Sequence, residues 1–449
     1  MPLRRSCVSF SVSTLALLLA LLASSESQTF TVLAKFGKTS ANPEFATPVQ
    51  GRDGRLYWTN SNDEIGDGTG GVMVFDTRTG FRAVLHQFDV TDGSAPQGGV
   101  TLGIDGNFYG TAEFGGTSNY GVLFKITPSG TYTLLHNFAG GTDGLYPSSA
   151  PLLAADGNFY GTTGLIDAQG ESQSTFYRYS PSSGFTSFGD IPNTQAPLIQ
   201  ASDGNLYGTT YGGAVVELST SGALLNVFVL PSGDGTFTLG PVMQASDGNF
   251  YGASQDGGPS NYGTIYKMDQ RGVFSLLYGM TATSPYPDGG LIEGTDGNLY
   301  GDAWGVPSTL YQITTAGNFT LLHSLTGQEG TGVGAGLLQH TNGVFYGTAH
   351  TGGSGNGLYG TLFSLDMGLP PFISLVKRQG RVGSLAQILG QGFTGSTGVT
   401  FNGLAATSFH VVSDTYMTAV VPRGTTTGRV VVTTPSGTLT SNADFQIVP

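Results

Sequence analysis

Cysteine is almost absent from this chain, which has one, Cys7, among 449 residues. Cys7 precedes the apolar run near the N-terminus, so the mature chain would hold no thiol if that segment is removed. A chain without thiols forms no disulfide and has no cysteine nucleophile. Its stability must therefore come from packing.

Charged residues are also scarce, at 10% of the chain, and basic residues are the rarer sign. Residues 28–369 hold 10 basic and 27 acidic residues, whereas residues 370–449 hold five basic and two acidic ones. The acidic surface of the longer region disfavours nucleic acid and anionic membrane as partners, since both are polyanionic. It permits cations, cationic groups or neutral sugars.

Long apolar runs are missing as well, because the one run present, Leu15–Ala23, is much shorter than the roughly 20 residues of a spanning helix. It follows Arg4 and Arg5 and precedes small residues, which is the order of an export signal. We expect residues 1–27 to be a cleaved signal peptide. The protein is then secreted or held in the cell envelope, with no transmembrane segment in the mature chain.

Glycine and aromatic residues, by contrast, are plentiful, with 72 glycines and 11% aromatic residues. They recur in the hexapeptide DGNFYG, which is first complete at Asp105–Gly110. Seven copies of it start at Asp53, Asp105, Asp156, Asp203, Asp247, Asp296 and Asn342. Intervals of 44 to 52 residues match one four-stranded propeller blade. The sequence therefore predicts an all-β, seven-bladed β-propeller over residues 28–368.

One repeat unit contains the patterns of four strands. In the third unit, Ala150–Ala155 predicts a buried inner strand, and Asp156-Gly157 predicts a tight turn with positive φ at both residues. The hexapeptide strand follows, with its Phe and Tyr on opposite faces. The seventh unit lacks a fourth strand, which Thr29–Phe36 matches. We expect this N-terminal strand to close the last blade.

The repeat unit resembles secreted bacterial propeller repeats of the GloVer type, named from Gloeobacter and Verrucomicrobia. The motifs that carry the resemblance are DGNLYGTT, a following GG, GTLFK and FTLLHSF, as they recur with small changes here. The resemblance implies a propeller fold and a surface or secreted setting. It implies no reaction.

The period stops at Pro370, where the composition shifts. Residues 369–449 resemble an IPT/TIG domain, on the runs ILGQGF, VTFNG and GRVVVTTPSG and the closing FQIV. Alternation of apolar residues between turn signals agrees with such a sandwich. The resemblance implies an immunoglobulin-like β-sandwich that acts as a spacer or a binding module.

The position four residues beyond the repeat tyrosine differs in every unit. It reads Ser61, Glu113, Gly164, Tyr211, Gln255, Trp304 and His350 around the ring. We expect it at the mouth of the face that carries the long loops, where binding residues usually lie. The ligand-binding candidates are Glu113, Tyr211, Gln255, Trp304 and His350; the alternative is that they are ordinary loop residues.

The sequence patterns that would indicate a metal site or an enzyme are weaker than the repeat pattern. Asp63, Glu64 and Asp67 lie in one loop and supply oxygen ligands of the kind that calcium prefers, although a solvated acidic loop is the alternative. The repeat is also similar to that of streptogramin lyases, which use His and Glu with magnesium. That resemblance implies a catalytic pair of Glu113 and His350, but the chain has Tyr-Gly where those enzymes have Trp-Phe.

The other ionisable candidates are scattered along the chain. Asp302 lies beside the mouth and His340 lies in the inner strand of the seventh unit. His86, His136 and His323 recur inside the fourth strand, which indicates a structural role.

The sequence thus favours a monomeric, non-catalytic, secreted or cell-surface protein that binds a glycan or an extracellular protein without a cofactor. A lyase or hydrolase that uses Ca²⁺ or Mg²⁺ is the alternative. A purely structural surface component is the third reading.

Overall fold

The computed structural model describes residues 28–37, 43, 46–61, 69–164, 173–353 and 359–448. Within these ranges the chain forms 37 β-strands and a single 3-10 turn at Gly141–Asp143. In the same ranges, no helix has the length and apolar character needed to cross a bilayer. The expected signal peptide, residues 1–27, lies outside the described part of the chain.

The first 28 strands form seven four-stranded antiparallel sheets, which we number as units 1 to 7. Strand β1 (Thr29–Lys35) belongs to unit 7. Unit 1 holds β2 (Val49–Gln50), β3 (Leu56–Asn60), β4 (Gly71–Phe75) and β5 (Arg82–Gln87). Unit 2 holds β6 (Val100–Leu102), β7 (Phe108–Ala112), β8 (Val122–Ile126) and β9 (Tyr132–Asn137). Unit 3 holds β10 (Leu152–Leu153), β11 (Phe159–Thr162), β12 (Gln173–Ser180) and β13 (Gly184–Pro192).

The remaining units repeat this order of strands. Unit 4 holds β14 (Ile199–Gln200), β15 (Leu206–Thr210), β16 (Ala214–Leu218) and β17 (Leu224–Val229). Unit 5 holds β18 (Met243–Gln244), β19 (Phe250–Ser254), β20 (Thr264–Met268) and β21 (Phe274–Gly279). Unit 6 holds β22 (Ile292–Glu293), β23 (Leu299–Ala303), β24 (Thr309–Ile313) and β25 (Phe319–Ser324). Unit 7 holds β26 (Leu338–Gln339), β27 (Phe345–Ala349) and β28 (Thr361–Asp366), with β1 outside β28.

Propeller-like sheets of four antiparallel strands are therefore present, as the repeat predicted. The inner strands are shorter than expected, since β10 spans two residues rather than Ala150–Ala155. Most of their side chains are half-buried. The second strands are the buried ones, as in β7 and β15, where every residue is buried.

The hexapeptide forms a turn in which one residue, not two, has positive φ. In unit 3, the N–H of Gly157 donates to the carbonyl of Ala154, and Gly157 has φ +85°. Asp156 is absent from the residues with positive φ, so the prediction for that residue is wrong. Its carboxylate instead accepts the N–H of Asn158 at 3.0 Å, which fixes the turn without a left-handed aspartate.

The hexapeptide tyrosine donates to the same carboxylate. In unit 3, the Tyr160 hydroxyl lies 2.7 Å from Asp156 Oδ2. Burial and this hydrogen bond raise the pKa of Tyr160 to about 12, so the hydroxyl keeps its proton. The equivalent tyrosine-to-aspartate bonds occur at Tyr57–Asp53, Tyr109–Asp105, Tyr207–Asp203, Tyr251–Asp247 and Tyr300–Asp296. In unit 7, Asn342 Nδ2 donates to the Tyr346 hydroxyl at 2.9 Å.

The two aromatic positions of the hexapeptide pack on opposite neighbours, as predicted. Each repeat tyrosine packs against the Phe or Leu at the fourth position of the hexapeptide in the next unit. The aromatic pairs are Tyr57–Phe108, Tyr109–Phe159, Tyr207–Phe250 and Tyr300–Phe345, with ring centroids 4.0 to 4.6 Å apart. Leucine takes the second place in the clusters of Tyr160–Leu206, Tyr251–Leu299 and Tyr346–Leu56. Since Tyr346 of unit 7 meets Leu56 of unit 1, the units form a closed circle.

Strand β1 completes unit 7, so the ends of the repeat region are held together. It pairs antiparallel with β28, from Thr29 opposite Asp366 to Lys35 opposite Thr361. This confirms the predicted pairing of the N-terminal strand with the last third strand. Phe30 also stacks on His323 of unit 6 at 4.0 Å, which ties the closing strand to the preceding sheet.

A second set of contacts links the inner strands. The side-chain oxygen of Gln200 accepts the N–H of Ala155, the residue before the hexapeptide of the preceding unit. The same bond recurs from Ser202 to Gln244, Ser246 to Glu293, Thr295 to Gln339 and Thr341 to Gln50. Units 2 and 3 carry Leu102 and Leu153 at this position. This series of bonds between neighbouring units, which we call the glutamine belt, is therefore interrupted at two of the seven junctions.

The C-terminal region forms two sheets around its own core. The first sheet holds β29 (Ser374–Leu375), β31 (Leu385–Leu389), β35 (Tyr416–Val420) and β34 (Phe409–Ser413). The second holds β30 (Gln379–Gly380), β37 (Gly437–Ile447), β36 (Gly428–Thr434), β32 (Gly398–Phe401) and β33 (Leu404–Ala405). Phe393, Met417 and Phe445 are buried between them. Only the β30–β37 pair is parallel among the described strands.

This region is docked on the short turns of the ring. Thr415 Oγ1 donates to the carbonyl of Arg52 at 2.7 Å, and the Arg52 guanidinium lies 4.5 Å from the ring centre of Tyr416. Gln387 Nε2 donates to the carbonyl of Ile104 at 2.9 Å. These contacts fall at the junctions that lack the belt glutamine. Further bonds join Lys377 Nζ to Ala155 O and Gln391 Nε2 to Thr341 Oγ1.

Removing one repeat hydroxyl tests the hexapeptide network. We expect Tyr300→Phe to lower the free energy of unfolding by about 0.5 to 1.5 kcal/mol, because the exposed Asp296 carboxylate loses the hydrogen bond from the buried Tyr300. Tyr211→Phe is the matched control, since Tyr211 lies outside the hexapeptides and is 44% exposed. Urea denaturation followed by tyrosine fluorescence measures both. Equal stability losses in the two variants would contradict a special role for the repeat bond.

Candidate functional site

The connections of each unit lie on two opposite faces. The first-to-second and third-to-fourth turns form the short-turn face, on which the C-terminal region sits. The second-to-third and fourth-to-first connections form the loop-rich face. The candidate residues follow the second strands, so the structure places them on the loop-rich face, as the sequence predicted. The hydrogen bonds that join Thr415, Gln387, Lys377 and Gln391 of the C-terminal region to the ring all lie on the short-turn face.

A hydrogen bond fixes the backbone of each candidate position to the loop that enters the same unit. The N–H of Trp304 donates to the carbonyl of Tyr286 at 2.9 Å, and that of Tyr211 donates to Asn193 at 2.9 Å. The equivalent bonds are Glu113 to Ala95, Gly164 to Tyr146, Gln255 to Phe237 and His350 to Gly332. The rim is therefore built from paired positions, one on each loop.

The partner positions form a second set of rim residues that sequence reasoning missed. Tyr146, Phe237 and Tyr286 have φ values of +57°, +53° and +62°. This left-handed conformation is unusual for aromatic residues and is kept only where the surroundings hold it. A signal was present, because Ala95, Tyr146 and Tyr286 each precede a proline. The loops differ in length, so the correspondence is visible only once the backbone bonds are known.

Trp304 and His350 form the densest part of the rim. Their ring centroids lie 5.7 Å apart. Gly332 and Gly334 allow the approach of the indole, since a Cβ at Gly334 would lie 3.0 Å from Trp304 Cε3 and one at Gly332 would lie 3.2 Å from His350 Cβ. Trp304 is half-buried, whereas His350 is buried. The indole, rather than the imidazole, can therefore meet a ligand.

Two more aromatic groups occupy other parts of the rim. Tyr211 is exposed and meets Phe237 edge-on at 4.6 Å. Tyr146 lies 5.2 Å from Phe114 and 5.9 Å from Tyr120. The rim thus presents aromatic rings at three separated places, in units 2 and 3, in units 4 and 5, and in units 5 to 7.

Glu113 and His350, the catalytic pair of the alternative hypothesis, belong to units that are not adjacent. Glu113 follows β7 in unit 2, and His350 follows β27 in unit 7, so unit 1 lies between them. Glu113 and Gln255 are half-buried, and Ser61 is buried. The possible calcium ligands Asp63, Glu64 and Asp67 lie outside the described residues. In the part of the chain that is described, no three His, Cys, Asp or Glu side chains are grouped as metal ligands.

Asp302 is a buried carboxylate beneath the rim. It stands where five of the seven units have threonine, as in Thr59 and Thr209. Threonine there binds the loop of the next unit, as in Thr209 Oγ1 to Gly240 O at 2.9 Å. Asp302 instead accepts the N–H groups of Gly289 and Gly336 at 3.0 and 2.9 Å. Burial raises the pKa of Asp302 to about 6, and the two N–H donors oppose that rise.

The histidines serve structure. His340 is buried, and its Nε2 lies 3.1 Å from the carbonyl of Gly54 on the short-turn face. Burial lowers the pKa of His340. The fourth-strand histidines bind acids in the following loop, in the pairs His86–Asp92, His136–Asp143 and His323–Glu329. Each also stacks on an aromatic ring of the next unit, at 3.7 to 4.4 Å.

The raised pKa of Asp302 predicts a pH dependence of stability. The folded carboxyl holds its proton up to about pH 6, whereas the unfolded one loses it near 3.8. Stability from this group is therefore complete below pH 3.8 and is lost as the pH rises to about 6. The shift corresponds to on the order of 3 kcal/mol.

Asp302→Thr, the repeat residue, removes this dependence. We expect the free energy of unfolding of the variant minus that of wild type to increase between pH 4 and pH 7 and to level off above, because only wild type loses stability over this range. Thermal unfolding of both proteins across this range measures the difference. A difference that does not vary with pH would contradict a buried, ionising Asp302.

Comparison with known proteins identifies the repeat. The model of the Gloeobacter/Verrucomicrobia repeat matches residues 22–214, which cover units 1 to 3 and part of unit 4. The chain is thus a repeat-containing protein. No curated protein matches it.

Solved structures match at low identity. A protein assigned as a 6-phosphogluconolactonase from Bacteroides fragilis NCTC 9343 shares 16% identity over 66% of this chain and 88% of its own, with a TM-score of 0.49. Luciferin-regenerating enzyme shares 13% over 77% and 98%, with a TM-score of 0.43. The extracellular domain of a protein assigned to a hybrid two-component system from B. thetaiotaomicron shares 12% over 94% and 58%, with a TM-score of 0.47. At these values, the activities of those proteins carry no inference for this chain.

Proposed function

We propose that the chain is a secreted or cell-surface binding protein, in which a seven-bladed β-propeller recognises a glycan or an extracellular protein through its loop-rich face. The C-terminal region is an immunoglobulin-like domain of the IPT/TIG type in this proposal. No catalysis and no cofactor are involved, and the protein acts as a monomer. Of the two partner classes, the exposed aromatic rings favour a glycan.

The observation that carries the proposal is the aromatic rim. Tyr211 and Tyr286 are 44% and 39% exposed, and the indole of Trp304 is half-buried. Tyr286 lies in the loop that enters unit 6, which also holds Trp304. Flat aromatic rings that remain in contact with water on a rigid scaffold are suited to stacking on the apolar face of a sugar ring. The backbone bonds to Tyr286 and Asn193 hold Trp304 and Tyr211 in place before a ligand arrives, which reduces the entropy cost of binding.

The short-turn face is less available to a ligand than the loop-rich face, which also supports binding at the loop-rich face. The short-turn face is partly covered, because Thr415, Gln387 and Lys377 bind three of its turns. The turns themselves are alike, since the hexapeptide repeats there. A surface of repeated, covered turns offers little by which to distinguish a ligand. The loop-rich face differs from unit to unit and carries the residues that do not repeat.

The lyase or hydrolase alternative finds less support in the geometry. It needs Glu113 and His350 to act on one substrate with a divalent ion. His350 is buried beneath Trp304, and Glu113 belongs to a unit that is not adjacent. An activity that is lost on adding a chelator and in His350→Ala would nevertheless favour this alternative over the binding role.

A glycan array tests the proposal with matched variants. We expect Trp304→Ala and Tyr211→Ala to reduce binding of the recognised glycan roughly two- to tenfold each, since one aromatic contact contributes about 0.5 to 1.5 kcal/mol. Phe81→Ala is the control, because Phe81 is 52% exposed on the short-turn face. Circular dichroism verifies that all three variants fold.

The outcomes separate the faces. Loss of glycan binding in Phe81→Ala alone would place the binding site on the short-turn face and contradict this proposal. Unchanged binding in both rim variants would contradict the aromatic rim, whichever glycan is bound.

A further inference from the structure

Charge is divided unevenly between the two faces. The strand ends and loops of the loop-rich face carry ten described acidic residues: Asp89, Asp92, Glu113, Asp143, Asp190, Asp234, Asp256, Asp288, Asp302 and Glu329. In the same part of the described chain, one basic residue, Lys35, occurs, and the guanidinium of Arg82 reaches it by donating to the Lys35 carbonyl at 2.8 Å. The remaining described basic residues of units 1 to 7 lie towards the short turns by their position along the strands.

The basic residues near the short turns are largely matched by acids. Arg271 binds Asp269 at 2.7 Å, and Lys267 lies 3.6 Å from Asp247. Arg55 lies 3.5 Å from Asp76. The C-terminal region adds further positive charge on this side, with Lys377 directly bound to unit 3. The net negative charge of the ring is therefore concentrated on the loop-rich face.

The acidic residues of this face differ in how much of their charge meets solvent. Asp92, Asp143 and Glu329 are bound to the fourth-strand histidines, which carry positive charge when protonated. Asp302 is buried. Asp89 and Asp190 are exposed. These two carboxylates contribute most directly to the field that an approaching ligand meets outside the histidine pairs.

From this arrangement we infer that the loop-rich face binds a cationic glycan, a polymer that contains unacetylated amino sugars. The inference rests on the proposed glycan-binding function and names its substrate class. An ammonium group on the sugar is attracted by the carboxylates and by the faces of the exposed aromatic rings, while the sugar ring stacks. Uronate-containing or sulfated polymers are repelled by the same field.

A basic protein would also meet this field, but the rim fits a repeating polymer better. A stable protein interface buries about 800 Å² on each partner around a continuous apolar core. The exposed rings here, such as Tyr211 and Tyr286, are instead divided among units 4 to 6 and the aromatic group of units 2 and 3. A polymer can place one sugar on each ring, so that weak contacts add through a high effective concentration.

Isothermal titration calorimetry with defined oligomers tests the inference on the full chain. The probes are the hexamer of glucosamine, the hexamer of N-acetylglucosamine and hexalysine, each at low and high NaCl near pH 5.5, where exposed carboxylates are ionised. We expect the glucosamine hexamer to bind at least tenfold more tightly than the acetylated hexamer at low salt. This advantage should fall below about threefold at high salt, because salt screens exposed charges.

A pair of double variants isolates the loop-rich face. Asp89→Asn with Asp190→Asn should weaken the glucosamine hexamer at least fivefold and leave the acetylated hexamer within twofold. The control, Asp366→Asn with Asp444→Asn, removes the same charge from exposed positions away from this face and should leave both unchanged.

The contrary outcomes are distinct. Equal affinity for the two sugar hexamers would overturn the inference while leaving glycan binding in place. Hexalysine that binds as tightly as the glucosamine hexamer would show a response to charge without sugar recognition and would also overturn it. If neither sugar binds at all, the proposed function itself fails for this class of glycan.

Discussion

The hydrogen bond from the hexapeptide tyrosine to the acid four residues earlier, present in six of the seven units, is the contact on which the ring depends. Tyr160, for example, joins the turn at Asp156 to the buried strand β11, and the other face of that strand, with Phe159, meets Tyr109 of the preceding unit. Because the hydroxyl is held at the turn, the tyrosine packs against Leu206 in the hexapeptide of the following unit. One side chain thus fixes a turn, anchors a strand and makes the contact between neighbouring units.

Repetition of this contact explains what the sequence could predict. Four strands in each unit and the opposite directions of Phe and Tyr follow from spacing and alternation alone. The pairing of β1 with β28 could also be predicted, because Thr29–Phe36 matches the strand that unit 7 lacks. The prediction of positive φ at Asp156 was wrong, because its carboxylate accepts the N–H of Asn158 and fixes the turn without a left-handed backbone at that residue.

Other features could not be predicted, since they depend on contacts between residues that are distant in the chain. The glutamine belt joins positions about 45 residues apart. Its gaps at Leu102 and Leu153 coincide with turns that bind the C-terminal region, which only the folded structure shows. At the rim, the sequence identified Trp304 and His350 but not Tyr286, which meets Trp304 through the backbone. The separation of Glu113 from His350 likewise required the order of units around the ring.

The same division accounts for the two faces. Where the units agree, side chains bind one another and build the ring. Where the units differ, aromatic rings and carboxylates remain near solvent, as at Tyr211 and Asp190. Asp302 shows the transition between the two, because it keeps the inter-unit role of the repeat threonine but places an ionisable group beneath the rim.

Hydrogen–deuterium exchange with and without the glucosamine hexamer tests most directly whether the loop-rich face is the functional one. The account predicts slower exchange on binding in the connections that carry the rim, residues 88–99, 138–151, 230–242 and 280–291, and at Trp304. Exchange in the short turns and in residues 370–448 should not change. Protection confined to the short turns or to the C-terminal region would contradict the account.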